Sequence, residues 1–148
     1  MANAPVRPRV TRNVVEEHRA LRSLLAEVEG AFARPLPHAA SGPDVVAARL
    51  DTLRGPLGAY FEEEERERLF EEIEERAPDQ APVCARLRAE HRGLIRRLDA
   101  LRAASPEARR GPTWARDVRL FLDDVSGHEE RETDLLTRTL DGSIGALD

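Results

Sequence analysis

Three histidines interrupt the apolar faces of segments in which hydrophobic residues recur with a helical period. His18, His91 and His128 each fall on such a face. Glu132 follows His128 by four residues, so both side chains point the same way, towards the interior. A polar group buried without a partner costs about 1–3 kcal/mol, and a charge costs more. The interior must therefore hold something that satisfies these side chains.

Another segment, the second along the chain, adds an aromatic residue and a carboxylate to this set. Tyr60 and Glu64 are four residues apart and share a face close to an apolar stripe. Glu63 is the alternative carboxylate within the same acidic run. Tyr60 is either a ligand or a core aromatic whose hydroxyl is hydrogen-bonded. Glu129 and Glu130 are expected to face water.

Histidine, tyrosine and carboxylate side chains that converge on one interior suit iron, manganese or zinc. Two buried carboxylates repel each other unless one takes up a proton or cations lie between them. The pattern therefore predicts a two-metal site, and a hydrogen-bonded core network without metal is the alternative. The predicted ligands are His18, Tyr60, Glu64, His91, His128 and Glu132.

Four helices would bring these side chains together. The helical periods predict helices at about 11–33 and 44–76, a third that begins after Pro82 and ends near 104, and a fourth at about 112–140. Pro56 is expected to kink or break the second helix. Short loops between helices of this length predict an all-α, antiparallel up-down-up-down four-helix bundle over 1–140. A short C-terminal tail, 141–148, follows it.

The composition agrees with helices and excludes several classes of protein. The chain has 148 residues, which suits one domain, and aromatic residues are only 4%. The net charge of -5, with arginines interleaved among glutamates, argues against a nucleic-acid partner. A single cysteine cannot form an internal disulfide, and neither a secretory signal nor a membrane-spanning run is present. We therefore expect a soluble cytoplasmic protein.

The complete pattern resembles the hemerythrin-like (HHE cation-binding) family over about residues 11–140. That family has a lone His on its first and third helices and His-x-x-x-Glu on its second and fourth. The matching residues here are His18, Glu64, His91 and the pair His128 and Glu132. The resemblance implies a non-haem di-iron centre, joined by an oxo bridge or by carboxylates, with manganese or zinc as alternatives. It also implies that Glu64 and Glu132 bridge the metals and that the histidines are terminal ligands.

Three positions depart from the family pattern. Tyr60 stands where the second helix should carry its histidine. Ile95 and Thr133 stand where oxygen-carrying hemerythrins have a further His and an Asp, which argues against reversible oxygen carriage. The resemblance then implies binding of, or reaction with, a small diatomic or peroxide ligand: oxygen, peroxide or nitric oxide. Iron storage or delivery is an alternative, as is a metal-free helical interaction module.

The C-terminal tail suggests one further partner. Residues 142–147, Gly-Ser-Ile-Gly-Ala-Leu, resemble the short peptides that load cargo into encapsulin shells. A frayed chain end is the alternative, because such peptides are short.

Overall fold

The structure, a computed structural model, describes residues 10–33 and 42–141, and every regular element within these ranges is helical. The predicted all-α class is therefore confirmed. No helix among the described residues is long and apolar enough to cross a bilayer. The helices are α1 (Val10–Ala33), α2 (Gly42–Arg66), α3 (Leu69–Arg76), α4 (Ala81–Arg102), α5 (Pro106–Arg109) and α6 (Pro112–Leu136). A 3-10 turn at Pro78–Gln80 precedes α4, and a π-helical stretch at Thr137–Asp141 follows α6.

The four long helices contact one another in a ring: α1 packs on α2, α2 on α4, α4 on α6, and α6 on α1. Their buried apolar side chains form two separate clusters. Along α4 and α6, buried polar residues lie between the part of the helix in one cluster and the part in the other, and on α2 the buried Glu64 lies between that helix's part of the larger cluster and α3. The larger cluster includes Leu53, Leu57, Leu98, Phe121 and Val125, and the smaller one contains Leu69, Phe70, Ile73, Cys84, Leu87 and Leu135.

The second predicted segment is divided, but the break that was one of the two outcomes expected at Pro56 does not occur there. The α2 helix runs through Pro56. The hydrogen bond that proline cannot donate would go to the carbonyl of Thr52. Both residues are exposed, so water can replace that bond.

The helix ends instead before Arg68, which has the left-handed backbone angles φ 56° and ψ 38°. Such a conformation costs a non-glycine residue about 1–2 kcal/mol. The turn is followed directly by α3, in which Leu69, Phe70 and Ile73 are all buried. Burial of these three side chains offsets the backbone strain.

Local signals in the sequence fix the connection between α4 and α6. The Ser105 hydroxyl accepts a hydrogen bond from the Ala108 backbone N–H at 3.1 Å and so caps α5. Pro112 occupies the first turn of α6, where its missing N–H has no cost. The Trp114 indole donates to the Leu101 carbonyl at 3.1 Å. This contact ties the start of α6 to the end of α4, the helices that carry His128 and His91.

Candidate metal centre

A layer of ionisable side chains separates the two apolar clusters. Each of the five most deeply buried members has no more than 2% of its surface exposed. Glu64 comes from α2 and His91 from α4. The other three, His128, Glu129 and Glu132, come from α6.

The closest donor atoms belong to α2, α4 and α6. His128 Nε2 lies 3.2 Å from Glu132 Oε2, and His91 Nε2 lies 3.8 Å from the same oxygen. His91 Nε2 is also 3.2 Å from Glu64 Oε2. One donor atom from each of His91, His128 and Glu132 falls within 4.8 Å of the others. This spacing is suited to donors that share one ion.

Tyr60 contacts the second oxygen of the Glu132 carboxylate. Its hydroxyl donates a buried hydrogen bond of 3.0 Å to Glu132 Oε1. Glu132 thus contacts Tyr60 through one oxygen and the two histidines through the other. Of the two candidate carboxylates on α2, Glu64 lies inside, whereas Glu63 is partly exposed and pairs with Arg66 at 2.7 Å.

Glu129 was expected to face water, and that expectation is wrong. The residue is 1% exposed, and its Oε2 lies 2.5 Å from His18 Nδ1. Burial of this carboxylate is tolerated because the imidazole partners it. His18 thus reaches the layer from α1, and its Nε2 lies 3.3 Å from the Thr133 hydroxyl. The sequence carried a signal: Glu129 follows the buried Val125 by four residues, which is the helical period.

A second carboxylate was not identified in the sequence at all. Glu90, next to His91 on α4, has its Oε2 2.7 Å from His128 Nδ1. Its other oxygen accepts a hydrogen bond from Arg131 at 2.6 Å. Both partners are on α6, and the period of a single helix cannot reveal such a contact.

Aromatic rings hold the imidazoles in place. Phe61 stacks on His91 with ring centroids 4.0 Å apart and planes 10° apart. Phe61 also meets the His128 ring edge-on at 5.5 Å. These apolar contacts leave the two rings little freedom to rotate.

Several buried donor atoms in the layer have no hydrogen-bond partner. They include both oxygens of Glu64, Nε2 of His91 and His128, and Oε2 of Glu132. Each unpaired buried polar atom costs about 1–3 kcal/mol. A hydrogen-bonded core network would pair them, so the donor set fits a cation better than a metal-free network.

Residues 9–140 match the family model of the hemerythrin HHE cation-binding domain. The chain belongs to this family. The family predicted from the sequence is thus confirmed, and the buried His–Glu group is compatible with the cation binding that membership in the HHE family implies. No curated protein and no solved structure matches the chain.

Two openings lead from the surface of this HHE domain towards the layer. A cavity of about 240 Å³ between α1 and α2 is lined by Leu21 and Tyr60, among others. A larger one, of about 530 Å³, reaches His91 beside Phe61 and Ile95. Small molecules therefore have space to approach both sides of the layer.

The two central carboxylates of the HHE domain titrate in opposite directions. Burial and the neighbouring Glu132 raise the pKa of Glu64 well above its usual range. Burial also acts to raise the pKa of Glu132, but the nearby polar groups of Glu64, His128 and His91 outweigh it and hold that pKa well below its usual range. In the metal-free protein, Glu64 therefore holds a proton and Glu132 is ionised.

Two further groups retain protons in the metal-free layer. Burial lowers the pKa of His128, but the adjacent carboxylates of Glu132 and Glu90 outweigh this effect and raise the pKa overall. Burial, reinforced by the charges of Glu132 and Glu64, raises the pKa of the Tyr60 phenol far above its ordinary range. Metal binding must displace protons from such ligands, so the affinity for metal should increase with pH.

We predict that the metal-free HHE domain loses stability as the pH rises above about 5. The raised pKa values of Glu64 and His128 mean that the folded state binds more protons than the unfolded chain, starting from the ordinary values of 4.5 and 6.5. Stability therefore falls with increasing pH in this range. Below 4.5 the sign reverses, because Glu132 has a lowered pKa and contributes stability that is lost on acidification. Urea unfolding of chelator-treated protein between pH 4.5 and 8 measures this.

The matched variants are Glu64→Gln, which should flatten the decline, and Glu63→Gln, which should leave it unchanged because Glu63 is partly exposed. Stability that stays level or increases over this range would contradict the assignment of protons.

Proposed function

We propose that this HHE domain holds a two-iron centre at which oxygen, peroxide or nitric oxide binds or reacts. The observation that carries the proposal is the set of buried, unpaired donor atoms on Glu64, His91, His128 and Glu132. Such atoms are costly in a metal-free protein and have the donor types that iron prefers. Membership in a cation-binding family supports the same conclusion.

The contacts suggest a role for each side chain. His91 and His128 would hold one iron, and His18 and Tyr60 the other. Glu132 suits a position between the irons, because its two oxygens contact Tyr60 on one side and the histidine pair on the other. Glu64, 3.2 Å from His91, would be the second shared carboxylate.

Iron would supply the electrons and the binding position for the small molecule. The chain provides the surroundings. Phe61 stacks on His91 and meets the edge of His128, and so holds the two imidazoles in place. Glu64 and Tyr60 hold protons within the layer. The cavity of about 240 Å³ beside Tyr60 has room for a diatomic molecule or peroxide.

We also propose that the four long helices form the antiparallel bundle predicted from the sequence. The order of the layer and the larger cluster along each helix supports this arrangement. From its N-terminus, α1 passes from His18 to that cluster, and α4 passes from His91 to it. Helices α2 and α6 run the other way, from the cluster to Glu64 and to His128. Neighbours in the ring would therefore run in opposite directions.

Two predictions concern the setting of the protein. The cytoplasmic location stays a proposal that rests on the composition. The cargo-peptide prediction concerns a tail whose residues 142–148 lie outside the described part of the chain. Co-purification with a shell protein, lost when 142–148 are deleted, would test that prediction.

Elemental analysis of freshly purified protein, repeated after anaerobic loading with ferrous iron, tests the two-iron centre. We expect two irons per chain and consumption of hydrogen peroxide or binding of nitric oxide by the loaded protein. Glu64→Gln should reduce the iron content, whereas Glu63→Gln should not. Protein that takes up no iron after loading would overturn the proposal, and a stoichiometry of one would refute its two-metal form.

A further inference from the structure

Two carboxylates outside the proposed ligand set bind histidines on a neighbouring helix. Glu90 on α4 contacts Nδ1 of His128 on α6 at 2.7 Å. Glu129 on α6 contacts Nδ1 of His18 on α1 at 2.5 Å. Each carboxylate is also the sequence neighbour of a histidine on its own helix, Glu90 of His91 and Glu129 of His128. The same contact thus occurs twice, once between α4 and α6 and once between α6 and α1.

This contact determines which ring nitrogen is available to a metal. A neutral imidazole that donates its Nδ1–H to a carboxylate has its lone pair on Nε2. In His128, Nε2 points at Glu132 Oε2, 3.2 Å away, and forms no hydrogen bond. In His18, Nε2 meets the Thr133 hydroxyl at 3.3 Å, which is a long contact.

We propose that Glu90 and Glu129 are positioning residues of the metal centre. They fix the orientation and tautomer of His128 and His18 and make these rings stronger donors. Their negative charge also favours the oxidised metal and so lowers its reduction potential. This inference rests on the proposed function, because it assigns a role towards the metal held there. Carboxylates behind histidine ligands have this effect in metal sites generally.

The two residues are not equivalent in their surroundings. Glu129 is 1% exposed, so little water screens its charge. The Glu90 side chain is 25% exposed, and Arg131 donates to its other oxygen at 2.6 Å. Arginine and water therefore offset part of the Glu90 charge. The influence of Glu129 on the metal should be the larger of the two.

The test compares Glu129→Gln and Glu90→Gln with Glu130→Gln, an exposed neighbour on α6. Glutamine keeps the length of the side chain and can still accept from Nδ1–H, but it removes the charge. Three quantities are measured: iron affinity by chelator competition, midpoint potential by spectroelectrochemistry, and imidazole tautomers of the metal-free protein by ¹⁵N NMR.

We expect Glu129→Gln to reduce the iron affinity by about 10–100-fold, the range typical of such partners, and Glu90→Gln to reduce it less. Both should raise the midpoint potential, with the larger shift for Glu129→Gln, whereas Glu130→Gln should change neither quantity. At a pH high enough for the rings to be neutral, the NMR spectra of the metal-free wild type should show the remaining ring proton of His18 and His128 on Nδ1.

Arg131→Gln separates this role from a purely structural one. It leaves the charge of Glu90 uncompensated, so the potential should fall, opposite to the change in Glu90→Gln. If Arg131 and Glu90 only held α4 and α6 together, both variants would shift the potential in the same direction. The comparison of Glu90→Gln with Arg131→Gln also tests the proposal if Glu129→Gln does not fold, because Glu90 and Arg131 lie nearer the surface.

The outcomes distinguish a failure of the proposed function from a failure of the positioning role of Glu90 and Glu129. Wild-type protein that binds no iron overturns the proposed function and this inference with it. Wild-type protein with two irons, combined with unchanged affinity and potential in Glu129→Gln and Glu90→Gln, overturns this inference alone.

Discussion

Replacement of Glu132 by alanine should abolish iron binding at both positions, a larger effect than loss of any one histidine. Glu132 is the side chain that contacts both halves of the layer, Tyr60 through Oε1 and His128 and His91 through Oε2. The iron-loaded wild type should exceed the variant in stability by about 3–5 kcal/mol or more, the cost of breaking a buried charge pair. Elemental analysis and urea unfolding, with and without iron, measure the two effects.

The metal-free proteins should differ much less. Without metal, Glu132 is an ionised group close to Glu129, so its removal relieves the repulsion between these two carboxylates while it leaves Tyr60 without an acceptor. Glu130→Ala is the matched control, since Glu130 is exposed on the same helix. An equal loss of stability with and without iron would mean that Glu132 is a structural residue rather than a ligand.

The inward histidines could be predicted because each lies on a helical period of apolar residues, and the interior accepts a polar group at such a position only with a partner. The same reasoning explains why the burial of Glu129 was not predicted. His128 and Glu129 are adjacent and point about 100° apart, so a single apolar face could take only one of them. Helix α6, however, packs on both α4 and α1. One residue meets Glu90 of α4 and the other meets His18 of α1.

The end of α2 shows a different limit of sequence analysis. Proline removes a hydrogen bond, but whether this breaks a helix depends on whether water can reach the free carbonyl, which is a property of the packed structure. At Pro56 the helix face is exposed and the helix continues. At Arg68 no breaker residue is present, yet the chain turns through a left-handed conformation. After that turn, Leu69, Phe70 and Ile73 all lie in the smaller apolar cluster, and this packing is a property of the folded structure that no local breaker residue announces.

The Tyr60→Phe variant should separate the two roles that the sequence left open for this side chain. If the phenol is a ligand, the iron-loaded wild type should show a phenolate-to-iron absorption band that the variant lacks, and the affinity for the second iron should fall at least tenfold. Tyr60 is the only tyrosine in the chain, so any phenolate signal must come from it. Without metal, no such signal should appear at neutral pH, because burial and the nearby Glu132 and Glu64 hold the pKa of the phenol far above its ordinary range.

The alternative role gives a different result in the same experiment. As a hydrogen-bond donor alone, Tyr60 would orient Glu132 without losing its proton. The variant would then keep the wild-type visible spectrum and both irons, and would lose only the stability of one buried hydrogen bond to a charged group, about 1.5–3 kcal/mol. That outcome would leave the His18 side of the centre with one ligand fewer than the His91 side. The vacant position would then face the cavity between α1 and α2, the smaller of the two openings that reach the layer.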